Sequence, residues 1–427
     1  MSTTPSQWPL SPIAELGRVV TGSTPPSSKP HRFGEAFPFI TPTDLKFGVR
    51  APKTSRFLSE DGASSLSKRM LPAGSVCFTC IGATIGKACL VSSPSFTNQQ
   101  INSVVVDQQR HDPSYVYYLL RQHSGEIRAH AGGAATPILN KSNFGRILLP
   151  VAPLCLQRKI GTILSSYDEL IENNSRRIEI LGELAHEVYH EWFVKFRYPG
   201  HEDVPLIHSI LGPIPEDWKV SRVEEVAEIV RGRSYRKDEI PESGGVPFLN
   251  LKCINRGGGF RKSGLKRYTG PYKPAQAANS GGIVIAVTDM TQERNVVARA
   301  ARVPSMPEEF GVISLDLVKV APLTVSSSYL YGMLRYSSFP DEVKNFANGA
   351  NVLHLHPDRI AEYQFAKAPD DVQLQYSAAV DPIYDLADRL ELEVQNLRAT
   401  RDILQPRLIS GELDVSDVAI ETGDMAG

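Results

Sequence analysis

Cysteine is scarce in this chain, five residues in 427, and the five show no framework spacing. That excludes a disulfide-stapled secreted scaffold and fits a reducing compartment. Net charge is nearly absent too, because 46 Lys and Arg face 47 Asp and Glu. Such neutrality excludes a histone-like protein that coats any nucleic acid. Apolar runs fall far short of the ~20 residues of a membrane span. The opening MSTTPSQWPLSP lacks the basic and apolar regions of a signal peptide. With 41% apolar and 22% charged residues the chain reads as globular, and its length suits two or three domains. A cytoplasmic, multidomain protein is the expectation.

Catalytic signatures are also wanting. There is no G-x-G-x-x-G, no Asn/Asp-Pro-Pro-aromatic methylation motif and no acidic pair followed by Lys of the nuclease kind. GATIGKA (82–88) has one residue too few between its glycines for a phosphate loop, and Ala88 stands where magnesium needs Ser or Thr. A strand–turn–strand with a basic tip is expected there. Cys77 and Cys80 form a lone C-x-x-C with no second pair for zinc. HEVYH (186–190) matches the zinc-peptidase helix motif, with His186 and His190 on one face and Glu187 as base. The extended motif fails at Phe193 and Phe196, so solvated or partner-facing histidines are expected, and zinc peptidase is kept as a remote alternative.

What is present becomes visible when the charge is divided. Residues 1–150 carry 15 basic and 8 acidic side chains, whereas 371–427 carry 4 and 12. Within the second half, 231–273 alone holds 11 basic against 3 acidic residues. Phosphate backbones respond to such local patches rather than to total charge.

The chain also repeats itself. Trp8 and Trp218 each precede a glycine (Gly22, Gly232) by fourteen residues. PFITPTDL (38–45) answers PFLNLKCI (247–254), LPAGSVCFTC (71–80) answers NSGGIVIAVT (279–288), and YYLLR (117–121) answers YGMLR (331–335). GGAATPILN (132–140) answers NGANVLHLH (348–356); Leu156-Gln157 and Tyr167-Asp168 are matched to Leu374-Gln375 and Tyr384-Asp385. Each unit opens with short β-rich runs and closes with a helix. Apolar positions from Ile160 through Leu164, Ile171, Leu181 and Val188 to Trp192 form an a/d/e stripe, interrupted by Asn174 and Arg177. The second stripe runs from Tyr376 through Ile383, Leu390 and Leu397 to Leu404, with Pro382 expected to kink the helix or cap its start. A single exposed stripe needs a partner, so the two helices are expected to pack antiparallel with a β-rich globule at each end. Residues 156–192 would span ~55 Å as a helix.

Two stretches are specific. LGELAHEVYHEWFVKFRYPG (181–200) and LRATRDILQPRLISGELDV (397–415) resemble the conserved regions of the DNA-specificity subunit of type I restriction–modification enzymes. The first carries Glu187, Trp192, Phe193, Phe196, Arg197, Pro199 and Gly200 of that pattern; the second carries Arg401, Asp402, Leu404, Pro406, Leu408, Ile409, Ser410, Gly411 and Glu412. The resemblance implies an α+β fold with two similar target-recognition domains separated by two long antiparallel helices in a pseudo-twofold repeat. Expected boundaries are 1–152 and 201–370 for the recognition domains, 153–200 and 371–413 for the helical spacers, and 414–427 for a tail. The implied function is reading a split double-stranded DNA target without catalysis, while docking two adenine-N6 methyltransferase subunits and ATP-dependent translocase/nuclease subunits. S-adenosylmethionine, ATP and magnesium would come with those partners. The helix start PDDVQLQYSAAV (369–380) departs from the pattern, lacking the basic run at 157–160, which bears on how the second partner copy sits. A coiled-coil scaffold without sequence preference stays open beside this reading.

Base reading uses Arg, Lys, Asn, Gln, Ser and Thr on loops. Candidates in the first unit are Lys46, Arg50, Lys53, Arg56, Thr84, Lys87, Asn98, Gln99, Lys141 and Asn143. Those in the second are Arg256, Arg261, Lys262, Lys266, Arg267, Thr291, Gln292, Arg294 and Asn351. Spacer or partner-docking roles are expected for Asn174, Arg177, Glu187, Trp192, Phe193, Arg401, Leu404 and Leu408. Phosphate or solvent contacts remain the other reading of each basic loop residue.

Overall fold

Two short-strand layers and a helix are built twice along the chain. The computed structural model describes residues 8–46, 48, 50, 52–132 and 137–419. The chain divides into two compact units, residues 1–174 with 393–427, and residues 175–392. No helix among the described residues is long and apolar enough to cross a membrane.

In the first unit, a four-stranded antiparallel sheet has the order Gly17–Thr21, Ile101–Val106, Val76–Thr79, Ala88–Leu90. β-branched and aromatic residues dominate these strands, as a half-buried pleated surface favours. A second, smaller sheet pairs Phe37–Ile40 in parallel with Phe96–Thr97. The helix Pro113–Gln122 starts where Asp112 accepts the Tyr115 amide at 2.8 Å, with Pro113 in its first turn, and buries Tyr115, Tyr117 and Tyr118.

The second unit repeats this order. Ala227–Arg231, Leu317–Pro322, Ile283–Ala286 and Ala300–Arg302 form the antiparallel sheet, and Val246–Leu249 pairs in parallel with Phe310–Ile313. Ser326 caps the helix Ser327–Tyr336 through the Tyr329 amide at 3.2 Å. Gly22 and Gly232 are both required by close approach. A Cβ at the first would lie 2.2 Å from the Asn98 carbonyl oxygen, and at the second 1.9 Å from that of Ser314.

The long helices run over Leu154–Tyr189 and Asp370–Ser410. Each begins with one hydrogen-bonded device. In the first unit Tyr115 Oη accepts the Ala152 amide at 3.0 Å, while Gln157 donates to the Ala152 carbonyl at 2.7 Å and accepts from the Asp112 amide at 3.0 Å. In the second, Tyr329, Ala368, Gln373 and Ser326 make the same contacts at 3.1, 2.7 and 3.1 Å. Gln157 therefore answers Gln373, not Gln375, and by helical continuity Asp168 answers Tyr384, not Asp385. Hydrogen bonding sets this register, whereas the repeated Leu-Gln and Tyr-Asp letters are coincidental. The second start thus keeps the glutamine, and Leu374 and Gln375 stand where Arg158 and Lys159 provide charge.

Within the first unit the helix segments are antiparallel, since Asp168 meets Arg401 and Asn174 donates to Glu393 at 3.0 Å. Within the second, Tyr189 lies against Tyr376, with ring centroids 6.2 Å apart. Pro382 caps neither end, because it lies well inside Asp370–Ser410, which the packing of Tyr376, Val380 and Tyr384 into the core keeps helical on both sides. Leu170, Leu184 and Leu386 on these helices remain exposed. The first long helix ends in a π turn at His190–Val194 that turns Phe193 into the core.

Candidate nucleic-acid interface

In the first unit the loop residues fall into two groups. Lys46, Lys53, Arg56, Gln99, Lys141 and Asn143 are exposed. Arg56 lies over the Phe39 ring at 5.6 Å, and Gln99 accepts from the Thr24 hydroxyl at 2.8 Å. Lys141 and Asn143 sit on the first turn of a short helix capped by Asn140, which accepts the Asn143 amide at 2.8 Å. The others are turned into the fold. Arg50 reaches Glu169 at 3.2 Å and the Ser114 hydroxyl at 2.9 Å, with its buried Nε unpartnered. It tethers its loop to the first long helix instead of facing outward, because Glu169 offers a carboxylate that solvent-facing placement would forgo. Thr84 donates to the Ile81 carbonyl at 2.8 Å, Lys87 to that of Pro42 at 3.2 Å, and Asn98 to Gln100 at 3.1 Å.

These tethers make a frame. The strand–turn–strand expected at 82–88 is present, and the Gly82 amide donates to the Pro137 carbonyl at 2.9 Å. Buried Asn102, which the sequence reading passed over, donates to the Leu139 carbonyl at 3.1 Å and accepts from Thr21 at 2.6 Å. The turn and the loop leading to Lys141 are thereby pinned together. Of the two loop glycines, Gly132 is described and bridges to Ile138; Gly133 lies outside the described residues.

The second unit has an equivalent but larger frame. Arg256 is exposed on a loop in which Gly257, Gly258 and Gly259 all have positive φ, 83°, 96° and 85°. The Gly257 amide donates to Asn295 at 3.2 Å, Gln292 to the Ala350 carbonyl at 3.0 Å, and Arg294 to that of Ala347 at 3.4 Å. Three loops carrying Arg256, residues 290–297 and Asn351 are therefore joined. Arg261 donates to the Lys252 carbonyl at 2.7 Å, and Arg267 pairs with Glu308 at 2.6 Å. Lys262 lines a cavity of about 220 Å³ with Arg302, Arg335 and Tyr384, while Lys266 is half-buried. Thr291 is spent on Asp289, 2.9 Å away.

The spacer residues face inward for the most part. Phe193 is ringed by Tyr329 and Tyr376 at 4.9 Å and Trp218 at 5.7 Å, with Trp192 5.9 Å from Tyr376. Asn174, Arg401 and Leu408 are buried and Leu404 packs on the first core; Arg177 and Glu187 are exposed. Among the described residues, the large apolar side chains left outward on these helices are Leu170, Ile180, Leu184, Leu374, Leu386, Leu392 and Ile403. His186 and His190 share a face, with rings 6.0 Å apart, but among the described residues no third ligand joins them. Cys77 faces Cys89 across the sheet, and burial pushes the Cys80 thiol up to about 12, leaving it a protonated, poor metal ligand.

The chain matches the family model of the type I restriction modification DNA specificity domain twice, over residues 5–181 and 215–385. The MjaIX specificity subunit of Methanocaldococcus jannaschii, a type I restriction enzyme component, is 25% identical over 426 residues, covering 97% of this chain and 95% of its own. The HindI specificity subunit of Haemophilus influenzae is 37% identical over 146 residues, 34% of this chain and 31% of its own. In fold, the S subunit of a type I restriction–modification system from M. genitalium aligns with a TM-score of 0.63 at 16% identity, covering 96% of this chain and 97% of that one.

Proposed function

The chain belongs to the type I restriction–modification DNA-specificity family, and on that premise we propose that it reads a bipartite duplex target, one half-site with each unit. The observation that carries this is the duplicated frame: the same sheet, capped helix and tethered loops are built in each unit from different outward side chains. Shared scaffold with divergent loops is what reading two different half-sites requires.

In the first unit the outward set is Lys46, Lys53, Arg56, Gln99, Lys141 and Asn143; in the second it is Arg256, Arg261, Gln292 and Asn351, with half-buried Arg294 on the same loop as Gln292. Phosphate contacts from the lysines set register, while arginine and the amides offer the paired donors and acceptors that base edges demand. Of the remaining candidates, Arg50, Thr84, Lys87, Asn98, Arg267 and Thr291 hold these loops, and Lys262 and Lys266 are half-buried. On the long helices, exposed Leu170 and Ile403 in the first unit and Ile180, Leu184 and Leu392 in the second supply apolar ground for methyltransferase subunits. S-adenosylmethionine, ATP and magnesium would arrive with methyltransferase and translocase/nuclease partners, and this chain would perform no bond chemistry.

Methylation-site sequencing of host DNA with and without this chain tests the reading. A split motif carrying N6-methyladenine should vanish with the chain. An unchanged methylome, or loss of a single unsplit motif, contradicts it.

A further inference from the structure

Asp289 is buried, 2% exposed, and both of its carboxylate oxygens are fully used. Oδ1 accepts the Thr291 amide and hydroxyl, each at 2.9 Å; Oδ2 accepts the Val296 amide at 2.7 Å and the Val297 amide at 3.1 Å. No cation pairs with it within ion-pair distance among the described residues, so the charge is held by loop donors alone. Taking a carboxylate out of water is unfavourable unless donors replace the water, and here every replacement comes from residues 291–297. The loop cannot open without stranding that charge.

The clamped loop has two further properties. Arg294 and Ala298 hold φ of 55° and 62°, a left-handed conformation that costs a residue with a Cβ ~1–2 kcal/mol. Glycine would relieve it at Arg294, yet an arginine stands there, half-buried, with one guanidinium nitrogen donating to the Ala347 carbonyl at 3.4 Å. Met290, Gln292 and Glu293 are exposed on the same segment, and its contacts reach both neighbouring loops. The first unit has no such device. Its bridge between Ile81 and Ile138 corresponds to the pairing of Thr288 with His354, which puts Gly82 in the place of Asp289. Eight residues link its two strands there, against thirteen in the second unit.

We propose that Asp289 is the positioning residue of a reading loop peculiar to the second unit, and that Gln292 and Arg294 on that loop determine specificity at one half-site. This rests on the chain being a reader of two half-sites. Arginine pairs best with guanine and glutamine with adenine in the major groove, so the loop is suited to purine edges.

The test uses the full chain assembled with its methyltransferase subunit and a pool of randomised DNA duplexes, sequencing what is retained. Asp289→Asn leaves one acceptor oxygen for two sets of loop donors, Thr291 on one side and the Val296 and Val297 amides on the other, and should relax discrimination at one half-site by about tenfold or more, leaving the other half-site as it was. Arg294→Gly removes a reader and its bond to the Ala347 carbonyl while easing the backbone, so it should relax the same half-site with little net change in thermal stability. If both folded variants retain the wild-type motif, or if Asp289→Asn weakens both halves equally, the assignment is overturned. A wild-type complex that selects no split motif brings down the underlying reading, and the loop assignment with it.

Discussion

The two units close the same joint in opposite ways. Where the helix Pro113–Gln122 meets the long helices of the first unit, the contact is ionic. Buried Arg401 donates to buried Asp168, the Tyr118 hydroxyl donates to the same carboxylate at 2.6 Å, and Arg121 meets Asp402 at 3.2 Å. One repeat away, the positions of Asp168, Arg401 and Tyr118 are held by Tyr384, Ala185 and Gly332. Here the joint is aromatic: Tyr331 lies edge-on to Tyr384 at 5.5 Å, and Gly332 approaches Tyr189 and Tyr376 so closely that a Cβ would stand 2.7 Å from each. Arg335, the counterpart of Arg121, is stacked on Tyr336 at 5.2 Å instead of paired with a carboxylate. A buried ion pair is exacting, because losing one partner strands the other, whereas packed rings tolerate the loss of a polar atom. One architecture is thus compatible with a direction-specific lock in one unit and an adaptable contact in the other.

The largest expected effect follows from stranding a charge. Arg401→Met should destabilise the first unit by about 3–5 kcal/mol in denaturant unfolding, and adding Asp168→Leu should restore most of that loss. If the double variant is no better than the single one, the joint is not held by charge pairing. Next in size, Tyr118→Phe removes a hydrogen bond to a carboxylate and should cost about 1.5–3 kcal/mol. Tyr384→Phe removes a buried hydroxyl without a partner and should change stability by less than about 1 kcal/mol. Equal costs for these two would erase the distinction.

The smallest effect is a difference in acid response. Beside the helix cap of the first unit, burial holds His111 below its ordinary value, and Val325 takes its place in the second. Because the unfolded chain takes up a proton below 6.5 that folded His111 resists, stability of the first unit should fall as pH drops through that value. Adjacent Asp112, whose carboxyl burial pushes up, acts in the opposite sense as pH approaches its ordinary 3.8 from above. Amide protection, taken relative to the intrinsic exchange rate at each pH, should fall between about pH 7 and 5 in the first unit alone, and His111→Val should abolish the difference.

The repeat was legible in the sequence because its signals are packing requirements. Gly22 and Gly232 permit backbone contact, and Trp8 and Trp218 sit at equivalent ends, Trp8 donating to the Ile409 carbonyl at 3.0 Å and Trp218 packing against Phe193. Loop charge was less legible. Arg50 and Arg267 look like phosphate contacts until their carboxylates, Glu169 and Glu308, are brought to them from distant segments. Arg401, expected in a spacer or partner-docking role, pairs with Asp168, which lies far away along the chain and so is not legible as its partner in the sequence. Asp289 is not legible in the sequence because an acidic residue argues against DNA contact, and its role depends on inward-facing amides that composition does not reveal.

Split recognition is tested most directly by replacing residues 1–152 with the corresponding domain of another family member and sequencing the methylation motif of the assembled complex. One half of the motif should change while the other half is retained. A change in both halves, or in neither, would contradict independent reading by the two units.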